Sequence, residues 1–327
     1  MTWGLLGVLA FSFTLPFTRI AVGDATSTGL DPLFVGAGRA VVAAALAALV
    51  LLAFRVPFPD AGQWLRLVPV SAGVVAGFPI LTSIAMRHTT AGHGAVIIGL
   101  LPAATAVVAV MLTRERPSSR FWVGVGVGVI ATVAFSVAAH GSVAGGGRSD
   151  VYLIAAVVLG AVGYAQGGRM SRELGSWQTI CWALILALPV MALLAARSYH
   201  LHPPVDISAH QWSAFAYVSV ISMFLGFFAW YRGLAIGPMT TVSQVQLVQP
   251  VLSMLWAVLL LGEHLTTTLV VGAVAIVGAT AFTVRSRVSV RGEKSAPAKA
   301  PLAAHPPADQ PMANHPLGRR LNTGVSP

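Results

Sequence analysis

The chain has 327 residues, of which 56% are hydrophobic and only 9% charged, with a formal net charge of +10. Soluble domains carry about 25% charged residues, so this chain cannot cover a globular surface with polar groups and is read as an all-α polytopic membrane protein. The apolar runs are too continuous for barrel strands, which alternate over about 10 residues, and the basic residues cluster in loops, so nucleic acid is not an expected partner.

A helix needs roughly 20 apolar residues to cross the ~30 Å hydrocarbon core of a bilayer, and ten runs qualify. The first, Trp3 to Val22, has no basic residue before it and carries Ser12, Pro16 and Arg19 on one face, so it is read as a span and not a cleaved signal. The second, Leu33 to Phe54, contains Arg39. Arg19 and Arg39 either attract an anionic group such as a substrate carboxylate or snorkel to the headgroups. The third, Leu67 to Met86, aligns Pro79, Thr82, Ser83 and Met86. The fourth, Gly92 to Leu112, opens on His93 and is interrupted by Pro102. His93 is either a helix-end residue at the interface or a proton carrier, since its charge changes near neutral pH.

The fifth run, Phe121 to Ala139, holds Gly124 and Gly128, a GxxxG spacing that lets backbones approach. It suits a homodimer contact or an intramolecular one equally. The sixth, Val151 to Met170, offers Tyr164 and Gln166. The seventh, Trp177 to Ala196, contains the single cysteine, Cys181, which has no intramolecular partner. The eighth, Trp212 to Tyr231, places Ser219, Ser222, Gly226 and Trp230 on one stripe.

The ninth run, Met239 to Leu261, is the most polar. Gln246, Gln249, Ser253 and Trp256 are spaced i, i+3, i+7, i+10 and share a helix face. Ser243 lies a turn earlier. Pro250 removes a backbone donor and frees a carbonyl one turn back. This face either lines a solute path or joins helices. The tenth run is Thr266 to Val284. Residues 285–327 form a basic, proline-rich tail that lacks the large apolar residues needed to fold.

Placing both termini in the cytoplasm puts fifteen Lys and Arg residues inside against three outside, as the positive-inside rule requires. The chain also repeats itself. Pro102 and Glu115 match Pro250 and Glu263 at an offset of 148 residues, and Gly124 matches Gly272 at the same offset. Glu115 and Glu263 end spans on opposite faces and are expected to cap or orient the helix that follows each; a proton-coupling role is the alternative. Two five-span units, 1–139 and 151–284, joined by a linker at 140–150, must run in opposite directions. Inverted repeats of this kind suit alternating access.

The stretch WYRGLAIGPMTTVSQVQLVQPVLSMLWAVLLLGEHLT, with its first-half counterpart AMRHTTAGHGAVIIGLLPAATAVVAVMLTRERPS, resembles the EamA-type transporters of the drug/metabolite transporter superfamily. The resemblance covers Thr2 to about Arg285. It implies ten helices in a plasma (inner) membrane, a central cavity between the halves, and secondary transport of a small metabolite, often by efflux. Amino acids or related neutral or amphipathic compounds are the expected substrates. A polytopic membrane enzyme and a non-transporting scaffold are the competing classes. No HExxH, GxSxG or Walker sequence occurs, and no cofactor or metal is expected. The polar faces named above are predicted to converge on one cavity. No Asp, Glu or Lys lies in the middle of a predicted span, which argues against proton coupling through a buried acid.

Overall fold

The computed structural model describes residues 2–113, 117–140, 147–236 and 245–294. Among them, nine helices are long and apolar enough to cross a membrane. They are Thr2–Val22, Pro32–Ala53, Ala61–Met86, Ala91–Leu112, Ser119–Ala139, Arg148–Glu173, Ser176–Leu201, Ala209–Ile236 and Thr267–Ser286. A shorter apolar helix, Gln246–Leu261, lies between the last two. The first eight are called the first to eighth helices in chain order, Gln246–Leu261 the ninth and Thr267–Ser286 the tenth. The start of the predicted ninth run falls outside the described residues, as do Ser243 and Glu115.

Local chemistry sets where the helices begin. Asp31 accepts hydrogen bonds from the Leu33 and Phe34 amides at 3.0 and 3.2 Å, with Pro32 in the first turn of the second helix. The third helix opens on a capping box between Asp60 and Gln63, and the eighth on one between Ser208 and Gln211. These pairs also stand 148 residues apart. Both helices then widen into a π-helical segment, Ser71–Gly77 in the third and Tyr217–Leu225 in the eighth. The sixth helix starts at Arg148, inside the predicted linker, and so takes Asp150 into its first turn. The last helix continues through Lys294, so residues 285–294 of the expected tail are helical.

The exterior is apolar: Leu49, Leu52, Ile130, Leu193 and Val274 are exposed. Lipid gives helices no hydrophobic reason to associate, so close packing of small residues must supply it. The second helix runs along the seventh, and the buried face of the second is mostly alanine and glycine, with Ala37, Ala40, Ala43, Ala44 and Ala47 in line. The fifth runs along the tenth. Here a Cβ at Gly124 would lie 2.4 Å from the Thr283 hydroxyl, and one at Gly272 would strike the Phe135 ring. The GxxxG spacing is thus used within the chain. The first helix pairs with the eighth and the third with the sixth, while the fourth touches both the sixth and the ninth.

Candidate functional site

Three proline-bearing helices meet at the centre of the molecule. Pro16 has no N–H to offer the Ser12 carbonyl. The first helix breaks there into Thr2–Ser12 and Thr14–Val22, and the Ser253 hydroxyl donates to the freed carbonyl at 2.7 Å. The fourth helix breaks into Ala91–Ile98 and Leu101–Thr113 just before Pro102. The ninth opens with a tight turn, Gln246–Val248, just before Pro250. Pro250 packs where the fourth helix is interrupted, with its Cγ 3.4 Å from the Cβ position of Gly99.

Between these breaks lies a narrow cavity of about 20 Å³, room for about one water. Its polar lining is Thr14, Arg39, Tyr164, Ser222 and Gln249, and its apolar lining includes Phe11, Val74, Phe78 and Phe227. A second, smaller void of about 10 Å³ adjoins it through Leu15, Ile98 and Gln249, and reaches Pro102, Gln246, Pro250 and Ser253. Thr14 and Ser222 share a hydrogen bond of 2.7 Å across the first and eighth helices. The Trp256 indole donates to the Ser12 hydroxyl at 2.9 Å and stacks on Phe13 at 4.3 Å. Tyr164, Phe11, Phe227 and Trp230 form an aromatic wall, with Tyr164 and Trp230 centroids 5.6 Å apart.

The predicted faces converge only in part. Tyr164, Ser222, Gln246, Gln249, Pro102, Pro250 and Ser253 line the two voids. Ser12, Pro16, Trp256 and Trp230 do not line either void. Pro79, Thr82 and Ser83 do not reach it. The third helix presents Val74 and Phe78 instead, and Thr82 bonds back to the Phe78 carbonyl at 2.7 Å. Gln166 faces away and donates to the Arg66 carbonyl at 3.4 Å. Thr14, Val74, Phe78 and Phe227 escaped the sequence reading. Only Thr14, two residues before Pro16, carried a usable signal.

The charged residues differ most from expectation. Arg19 does not line the cavity. Its guanidinium donates to the Met86 carbonyl at 2.5 Å, while Arg87 donates to the Val22 carbonyl. Each arginine neutralises the carbonyl end of the other's helix. Glu263 caps the fourth helix, not the one that follows it: its carboxylate accepts from the Ala91 and Gly92 amides at 2.7 and 2.8 Å. His93 lies in the first turn of the fourth helix, as expected. It is buried, with Nε2 2.7 Å from the Asp150 carboxylate, which also accepts from Ser136. Arg39 is 2% exposed and does not snorkel, because the seventh helix and Phe215 close over its stretch of the second helix.

The EamA-like transporter family matches residues 1–137 and 147–285. The chain belongs to that family. It is therefore a multi-pass membrane protein of a transporter family. It is 42% identical over 285 residues to a Bacillus subtilis (strain 168) protein named "Uncharacterized transporter YdeK", covering 84% of this chain and 93% of the relative. A Synechocystis relative, "Uncharacterized transporter sll0355", is 24% identical over 256 residues, covering 72% and 76%. A solved structure titled "Crystal structure of protein" shares the fold at a TM-score of 0.61 and 18% identity, covering 88% of this chain and 97% of that one.

Proposed function

We propose that this EamA-family protein is a secondary transporter that moves a small metabolite, an amino acid or a related neutral or amphipathic compound, out across the plasma membrane by alternating access. The observation that carries this reading is the meeting of two proline-broken helices, the fourth and the ninth, at a buried polar and aromatic cavity. Broken helices at a midplane site let a carrier present backbone and side-chain groups to a solute.

The inverted repeat and the cytoplasmic termini belong to the same reading. Exchanging each helix with the one five places along turns the first–eighth pair into the sixth–third pair, and leaves the second–seventh, fourth–ninth and fifth–tenth pairs as they are. The matched capping boxes and π-segments of the third and eighth helices support it too. Two halves that exchange in this way can rock about one fixed cavity.

Counterflow in proteoliposomes with amino acids, nucleobases and cationic dyes tests the reading. Saturable exchange of one class, lost on replacing Gln246, supports a carrier. Absence of counterflow from folded protein across the panel overturns the proposed substrates.

A further inference from the structure

The buried polar atoms around the cavity are unevenly matched. Arg39 is 2% exposed, yet its Nε and Nη1 have no hydrogen-bond partner. The Trp230 indole nitrogen, in the aromatic wall but outside the cavity lining, is also buried and without one. Arginine and tryptophan can only donate. The remaining unmatched atoms near the cavity are the Gln246 amide nitrogen and the Gln249 amide oxygen. An amide brings donors and an acceptor alike, so exchanging its two ends leaves the surplus of donors in place. Among the described residues no carboxylate pairs with Arg39, and none lines either void.

A guanidinium taken out of water without a partner is costly, so a site of this kind is built for a ligand that supplies the missing charge. We propose that Arg39 is the anion-binding group of the cavity, and that the transported solute presents a carboxylate to it. The forked donors of arginine match the two oxygens of a carboxylate. The aromatic wall of Phe11, Tyr164 and Phe227 then faces the solute's apolar body. The space is too small for such a solute in this structure, so entry requires the proline-broken helices to part. The proposal rests on the transporter reading above and narrows its substrates to carboxylates. The carboxylate belongs either to an organic acid or to an amino acid.

The test uses the purified full chain in detergent, with thermal unfolding as the readout and benzoate, benzamide, leucine and leucinamide as probes. A ligand that binds only the folded state raises the midpoint. The expected result is that benzoate, leucine or both raise it and the two amides do not. Benzoate alone marks an organic-acid site and leucine alone an amino-acid site. Arg39→Gln should weaken binding about tenfold to a hundredfold, and Arg39→Lys, which keeps the charge but not the fork, should weaken it less. Without ligand, Arg39→Gln should unfold at a higher temperature than the wild type, since it removes an unpaired buried charge; a purely structural arginine would give the opposite shift. Stabilisation by the amides equal to that by the acids overturns the proposal. So does undiminished carboxylate binding by Arg39→Gln, and so does no response to any probe at millimolar concentration. Counterflow of the bound acid is scored separately. Carboxylate binding without counterflow would refute transport and leave the anion site standing, whereas counterflow of neutral solutes alone would refute the anion site and leave transport standing.

Discussion

The third and sixth helices cross at Gly73 and Gly163, and this crossing holds two cavity residues, Val74 and Tyr164, in place. A Cβ built on Gly73 would lie 2.4 Å from the Leu159 carbonyl oxygen and 2.9 Å from the Gly163 nitrogen. Both obstacles are backbone, so no side chain can swing aside. Restoring an ordinary separation of about 3.5 Å drives the helices apart by roughly 1 Å at the crossing. Overpacking of this kind costs about 1–3 kcal/mol, and alanine recovers at most about 1 kcal/mol of helix propensity over glycine. With that offset taken in full, Gly73→Ala should lose up to about 2 kcal/mol of stability. Gly126→Ala is the control. Gly126 is exposed on the fifth helix with nothing within 4 Å of its Cβ position, so that variant should gain up to about 1 kcal/mol. Thermal unfolding of both purified variants in detergent should move the midpoint in opposite directions, and transport should fall only in Gly73→Ala. A Gly73→Ala protein as stable as Gly126→Ala would refute the close crossing and the position of Tyr164 with it.

Glu263→Ala should destabilise the protein by about 1 kcal/mol by uncapping the fourth helix, with faster amide exchange at Ala91 and Gly92; Glu263→Gln, which retains one acceptor oxygen, should lose less. Ser253→Ala leaves the Ser12 carbonyl buried and unmatched, at about 1–3 kcal/mol, and a Ser253→Ala protein with an unchanged melting midpoint would show that this bond contributes nothing. Alanine at Gln246, Tyr164 or Trp230 should each alter transport without loss of expression, and three silent variants would displace the cavity as the solute path. Asp24 is held below the usual carboxylate range by hydrogen bonds from Thr26, then Ser27. Its contribution to the 23–31 loop is therefore complete above the ordinary aspartate pKa and is lost as pH falls through the lowered folded value, so protection of the Thr26 and Ser27 amides should survive mild acid. No carboxylate lines either void among the described residues, so a protonophore should change the initial flux of a neutral solute little, and abolition of that flux would contradict this.

Composition and apolar run length were enough to place the chain in a membrane and to find the nine long helices among the described residues, though not all their ends, because lipid forces every backbone polar group into helical bonding. The prolines at 16, 102 and 250 were legible as candidate breaks, since each removes a backbone N–H, but Pro189 sits inside the unbroken helix Ser176–Leu201, so which prolines interrupt a helix was left to the packing. The amphipathic face of the ninth helix, Gln246 to Ser253, also proved to be the face that borders a void. Which neighbour each polar side chain meets was not legible. Gln166 and Tyr164 are two residues apart, yet one turns to the third helix and the other to the cavity. Glu263 found its helix N-terminus 171 residues earlier in the chain. Arg39, whose position near a helix end suggested a route to the headgroups, is enclosed instead. Helix periodicity fixes which residues share a face, but the rotation of that face and the helices packed against it are set by small-residue crossings such as Gly73–Gly163 and Gly124–Thr283. Those crossings join residues far apart in the chain, and only the tertiary structure decides them.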